Sequence, residues 1–189
     1  MTTDDPTEPH LNSGGLPLTL EAKALKTTKT HAMVACGLGL VPFPFFDLAA
    51  ILGTQLNLLG NISGIYSVPF TRNIGKSAIA ALVGTYGSLS LTSGSIGSLM
   101  KAIPGVGTLT GMATLPILAG ATTYAIGKVF IQHFESGGTF LDFDPNSVKE
   151  YYAQQFNEGQ LIVSKEKMSK DKAKTTEQQE EPPSSDQAS

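Results

Sequence analysis

The two longest uncharged segments of the chain place the strongest constraint on its fold. Ser77–Met100 and Pro104–Gly127 are each runs of 24 residues without a formal charge. As α-helices these runs are about 36 Å long, more than the roughly 30 Å of a bilayer's hydrocarbon core. Lys101 and Pro104 favour a turn between them, because a charge prefers water and proline suits a helix start. The pattern predicts a transmembrane helical hairpin over residues 74–134.

Both predicted hairpin helices are rich in small residues. The glycines are Gly84, Gly87, Gly94 and Gly97 in the first helix and Gly107, Gly111, Gly120 and Gly127 in the second. A glycine inside a helix costs about 1 kcal/mol relative to alanine in water. In a membrane, small residues let helix backbones approach closely. We therefore predict that the hairpin helices pack tightly against each other.

Charge is distributed unevenly along the chain. Of 29 charged residues, only Asp47, Arg72, Lys76 and Lys101 lie between residues 30 and 127. The net charge of −3 gives no basis for nucleic-acid binding. The Lys and Arg bias around the hairpin predicts that both tails are cytoplasmic.

The sequence divides into a helical body and two polar tails. Residues 1–18 and 161–189 are predicted to be disordered because they carry few apolar residues. Residues 19–140 are predicted to form an α-helical membrane domain, in which a helix pair broken by prolines precedes the hairpin. Residues 141–160 are predicted to form a short amphipathic helix that Gly159 closes.

Asp47 is the candidate functional residue with the clearest physical argument. An acid within an apolar body indicates function, but its place in the first turn of a helix also fits a structural role toward the helix dipole. Pro42 and Pro44 surround this helix start. With Thr54, Asn57 and Asn61, Asp47 forms a thin polar stripe on the predicted helix.

Other motifs in the sequence are too incomplete to indicate a chemical activity. Gly75-Lys76-Ser77 resembles the end of a phosphate-binding loop, but the required earlier glycine is replaced by Phe70. The lone Cys36 is interpreted as a small buried hydrophobe. His31 and His133 have no ligand-spaced partners, so no metal or cofactor is predicted.

Three stretches together resemble the YcjF-like family of membrane domains of unknown function. They are Pro42-Phe-Pro44-Phe-Phe-Asp47 with Gln55 following, Ile103-Pro104-Gly105-Val106-Gly107-Thr108, and Thr123–Gly127 leading to His133–Gly138. The resemblance extends over about residues 31–140. Asp47, Pro104, Gly105 and Gly107 match positions that recur in that family.

The resemblance implies a bacterial α-helical membrane domain without assigned catalysis. Because some members are fused behind an Era-like GTPase, it also implies a link to a GTPase. This chain contains no GTPase domain, so such a partner would be a separate protein.

The leading hypothesis is a non-enzymatic integral membrane protein of the bacterial inner membrane that acts as a scaffold or adaptor. One alternative is a transport or pore-forming component, built by homo-oligomers of the hairpin. A further alternative is a peripheral or soluble helical bundle, because the mean hydropathy is only +0.03.

Overall fold

The computed structural model describes residues 18–38, 44–92 and 111–179. They form five α-helices: α1 (Leu20–Leu38), α2 (Pro44–Ile65), α3 (Arg72–Thr92), α4 (Gly111–Glu135) and α5 (Lys149–Gln179). No strand occurs among the described residues. The all-α part of the predicted fold is therefore confirmed over these residues.

Helix α4 is the centre of the bundle. It packs against all four other helices, most extensively against α1 and α5. Its side chains are buried on every side from Gly120 to Ile131, apart from the half-buried Thr122 and Lys128. A helix that is apolar all round is a buried helix, and here the neighbouring helices bury it.

Helix α1 presents small residues to α4. Thr19 starts the helix, because its hydroxyl accepts a hydrogen bond from the Ala22 N–H at 3.1 Å. The fully buried positions Ala24, Thr28 and Ala32 then recur every four residues, so they lie along one face of the helix. This face allows the α1 backbone to lie close to α4.

Two glycines of α4 make close contacts with α1. A Cβ atom on Gly120 would lie 2.9 Å from the carbonyl oxygen of Ala32. A Cβ atom on Gly127 would lie 2.5 Å from the Thr28 hydroxyl oxygen. These small residues of α4 therefore do serve close helix packing, but both glycines contact α1, and Gly120 also contacts Val163 of α5.

Helices α2 and α3 form an antiparallel pair joined by a short connection. Phe70 of this connection packs against Gly60 of α2 and Gly75 of α3. A Cβ atom on Gly75 would lie 2.7 Å from the Phe70 ring. The glycine of the Gly75-Lys76-Ser77 triplet is thus a packing residue beneath an aromatic ring.

The last helix differs from the expectation. The sequence predicts a helix that ends by Gly159, whereas α5 runs from Lys149 to Gln179. Gly159 lies inside α5, where a Cβ atom would meet Tyr124 at 3.0 Å. Val163, one turn further, is fully buried. Packing against α4 explains why the helix continues past the glycine.

The predicted transmembrane hairpin is wrong. None of the five helices, over the residues that the structure describes, combines the length and apolarity needed to cross a bilayer. The second uncharged run lies largely in α4, whose apolar side chains contact α1, α2 and α5. In the first run, Ala78, Ile79 and Leu82 are buried, whereas Ala80, Ala81 and Val83 are exposed on the other face of α3.

Several sequence expectations fall outside the described residues. The predicted turn at residues 101–107 lies there, and so do Gly94 and Gly97 of the first predicted hairpin helix and Gly107 of the second. Residues 1–17 and 180–189, at the outer ends of the predicted disordered tails, lie there too. These expectations stay predictions.

We expect Gly127→Ala to lower the free energy of unfolding by about 1–3 kcal/mol, because the new methyl group overlaps the Thr28 side chain. The measurement is urea denaturation followed by circular dichroism. The matched control is Gly53→Ala, since nothing lies within 4 Å of a Cβ at this exposed position of α2. There we expect stability to be unchanged or to rise by up to about 1 kcal/mol.

A double variant tests the contact itself. Adding Thr28→Ala removes the two γ atoms that overlap the new methyl group, so the combined loss of stability should be smaller than the sum of the single losses. Strict additivity would show that these two residues are not in contact.

Candidate functional site

The structure locates some of the candidate residues and not others. Pro44 is the first residue of α2, and Asp47 lies in its first turn, as the sequence predicts. Pro42 lies outside the described residues, and so do the three candidates of the predicted turn, which are Pro104, Gly105 and Gly107. A functional role for any of them stays a prediction.

The polar stripe of α2 meets a histidine of α1. His31 Nδ1 donates to the carbonyl oxygen of Thr27 at 2.8 Å, and its Nε2 lies 3.0 Å from Asn57 Oδ1. Asn61 Nδ2 donates to the same oxygen at 2.8 Å. The network joins α1 to α2 at the protein surface, because both asparagines are exposed. The sequence indicated the stripe but not its partner.

A buried polar contact joins two of the stretches that carry the family resemblance. Gln55 of α2 donates through Nε2 to the Thr123 hydroxyl of α4 at 3.4 Å, and both residues are buried. The Thr123 hydroxyl donates in turn to the carbonyl oxygen of Ala119 at 2.8 Å. A buried polar pair of this kind fixes the register of two helices, because burying either side chain without its hydrogen-bond partner costs free energy. The pair is structural.

The other polar residue of interest in the core is Gln155. Its Oε1 atom is buried and has no hydrogen-bond partner in the structure. Gln155 lines neither of the two surface grooves described below. We therefore assign no ligand to this oxygen.

The segment from His133 to Gly138 is a helix cap. The Gly137 N–H donates to the Phe134 carbonyl oxygen and the Gly138 N–H to the His133 carbonyl oxygen, each at 3.0 Å. Gly137 has a φ of 82°, which glycine adopts at little cost. These bonds define a Schellman motif at the end of α4. This part of the family resemblance also has a structural explanation.

A polar network encloses the loop after this cap. His133 Nε2 donates to the Thr139 carbonyl oxygen at 2.8 Å. The Thr139 hydroxyl and N–H both donate to Asp142 Oδ1 at 2.6 Å. The hydroxyl bond, and then the N–H bond, lower the pKa of Asp142 below its usual range.

Aromatic rings surround the same cap. Phe130 lies 4.6 Å from Phe143 and 5.3 Å from Phe140 between ring centroids, and Phe140 lies 5.2 Å from Phe134. Such pairs add stability beyond the area they bury. His133 lies at the edge of this cluster, 5.3 Å from Phe143. Its surroundings are those of a core histidine with a satisfied ring nitrogen.

Two tyrosines anchor neighbouring helices through carboxylates. Tyr66 donates to Glu135 at 3.0 Å, and Tyr124 donates to Glu158 at 2.9 Å. Burial, followed by the hydrogen bond to the carboxylate, raises the pKa of both tyrosines. Each therefore acts as a hydrogen-bond donor, and neither is an activated nucleophile.

The described residues contain no arrangement that supports metal binding. No group of three His, Cys, Asp or Glu side chains in that part of the chain could hold a metal ion. Cys36 is buried, as predicted.

Among the open grooves on the surface of the described residues, two lie between helices of the bundle. An apolar groove of about 420 Å³ lies between α2, α3 and α4, with Leu52, Val83 and Leu115 among its lining residues. A larger groove of about 640 Å³ lies between α1 and α5. Its lining residues are Ala22, Leu25, Lys26, Lys29, Thr30, Met33, Val34 and Glu166. We call it the α1–α5 groove.

Fold and side-chain chemistry define the chain as a helical-bundle protein whose polar contacts serve structure. The chain belongs to the family described as Domain of unknown function (DUF697), which matches residues 17–160. The prediction that the chain belongs to a family of unknown function is thus confirmed. The YcjF-like assignment and the link to a GTPase stay predictions.

A relative of the chain comes from Magnetospirillum gryphiswaldense. It is "Magnetosome membrane protein 22", and it is 39% identical over 145 residues, which are 77% of this chain and 74% of the relative. No solved structure matches this chain.

We expect Asp142→Asn to lower the unfolding temperature near neutral pH but to have little effect in acid. A lowered pKa in the folded state contributes stability above the usual aspartate pKa of about 4, and this contribution disappears as pH falls through the folded value. Thermal unfolding near pH 7 and near pH 3 measures the difference.

The control for this pH dependence is the same substitution in a Thr139→Val background. The valine removes the hydroxyl donor that lowers the pKa most, so the pH-dependent part of the difference should shrink. An equal difference at both pH values in the natural background would contradict the assignment.

Proposed function

We propose that this chain is a non-enzymatic, membrane-associated protein that acts as an adaptor or scaffold. The observation that carries the proposal is the relative named as a magnetosome membrane protein, which aligns with about three quarters of each chain. At 39% identity, a shared mode of membrane association is the simplest interpretation of the similarity between the two proteins.

The side chains of the described residues support the non-enzymatic part of the proposal. Their hydrogen bonds lie within one helix, join two helices or cap helix ends, as at Thr28, at Gln55–Thr123 and at the α4 terminus. Tyr66 and Tyr124, whose pKa values are raised, donate hydrogen bonds to carboxylates. Catalysis needs a nucleophile or a base whose side chain points into a cleft, and these side chains do not meet that requirement.

The proposal also specifies a partner and a membrane. From the resemblance to the YcjF-like family, we propose a separate GTPase as the first partner class to test. We propose the inner membrane of a bacterium, with the chain termini on its cytoplasmic side. A second copy of the chain is the other partner to test.

The pore-forming alternative receives no support from the described helices. It required Gly- and Ser-rich spans around a polar stripe. In the structure, Asn57 and Asn61 of that stripe form hydrogen bonds with each other beside His31 of α1. We do not pursue this alternative.

We expect a tagged copy of the chain, expressed in a bacterium, to sediment with the membrane fraction after lysis at low ionic strength. The control is a cytoplasmic marker protein that carries the same tag, and it should stay in the supernatant. Recovery of the chain in the supernatant with the marker would overturn the proposed membrane association.

Cross-linking in the same membranes, followed by purification of the tagged chain, tests the partner. A GTPase or a second copy in the cross-linked product supports the corresponding part of the proposal. A product that contains neither would remove both as partners.

A further inference from the structure

The α1–α5 groove combines two chemistries. Lys26 and Lys29 are exposed, so they form a cationic rim. Leu25 and Met33 are half-buried and pack against the core, so they form an apolar floor. A cationic rim above an apolar floor is complementary to an anionic amphiphile, whose charged and apolar parts are adjacent.

Apolar side chains continue the groove toward the end of α1. Val34 lines the groove and is 48% exposed, which is unusual for valine. It lies five residues after Lys29, so it is about 7.5 Å further along the helix axis. An occupant with its charge at the lysines can place an apolar chain over Met33 and Val34.

Few acidic side chains lie near the groove. Its opposite wall carries one acid, Glu166 of α5. Lys23 and Lys165 lie nearby in sequence, while α1 has one acid, Glu21, in its first turn. The rim is therefore positive overall, with Glu166 opposing the binding of an anion.

We infer that the α1–α5 groove binds an anionic phospholipid of the membrane, with the headgroup phosphate at the two lysines and the upper acyl chain on the apolar floor. This inference rests on the proposed function, and it names the surface through which the chain contacts the membrane. An acidic peptide would satisfy the rim but would leave the apolar floor unused.

The test is sedimentation of the purified full chain with lipid vesicles. One set contains phosphatidylcholine alone, and the other contains phosphatidylcholine mixed with phosphatidylglycerol. We expect binding to the anionic vesicles that weakens as salt is raised, because salt screens the attraction between lysine and phosphate. Equal binding to both vesicle types would overturn the inference.

Matched variants separate this site from the effect of net charge. Lys26→Gln with Lys29→Gln should weaken binding to anionic vesicles about thirtyfold, from the usual contribution of a lysine near such a surface. Arg72→Gln with Lys76→Gln removes the same charge from exposed positions on α3 and should change binding less than about threefold. Equal losses in the two variants would overturn the site.

A third variant predicts a gain of binding, which loss of folding does not produce. Glu166→Gln removes the acid opposite the lysines and should strengthen binding to anionic vesicles about fivefold. No change in this variant, with melting as in the natural chain, would overturn the groove as the contact site.

Different results would overturn the lipid site and the proposed function. A chain that sediments with cell membranes but not with anionic vesicles overturns the lipid site while the proposed function stands. A chain absent from cell membranes overturns the proposed function itself.

Discussion

Two helix backbones meet almost without intervening side chains where α1 lies against α4. The α4 residues Gly120 and Gly127 allow the contact, and Ala32 and Thr28 of α1 occupy the space that larger side chains would need. Because α4 lies at the centre, its distance from α1 also sets the space available to α2 and α5. Gly159 of α5 makes a similar close contact with Tyr124 from the other side.

This central position explains why α4 resembles a membrane span. Lipid and protein interior make the same demand on a helix surface, so both favour side chains that are apolar all round. The small residues have the same dual meaning, since they allow close packing in a bilayer or in a bundle. What distinguishes the two cases is the presence of neighbours, and α4 has one on each side.

The same arrangement leaves the outer faces of the helices available for function. With its small residues turned toward α4, α1 carries its lysines on the outside, beside the groove with α5. The polar groups of the described residues form contacts within the fold, as in the His31–Asn57 pair between helices and in the cap of α4 at Gly137 and Gly138. This division favours a protein that acts through its surface.

The sequence by itself determined the all-α class, the start of the helical region at residue 19 and the start of α2 at Pro44, because capping and proline act within a few residues. Only the tertiary structure decided which surfaces the apolar helices meet. The Gly127 contact joins residues about a hundred positions apart, and the continuation of α5 past Gly159 depends on Tyr124 of another helix. A periodic pattern shows that a face must leave water, but the partner that covers that face comes from elsewhere in the chain.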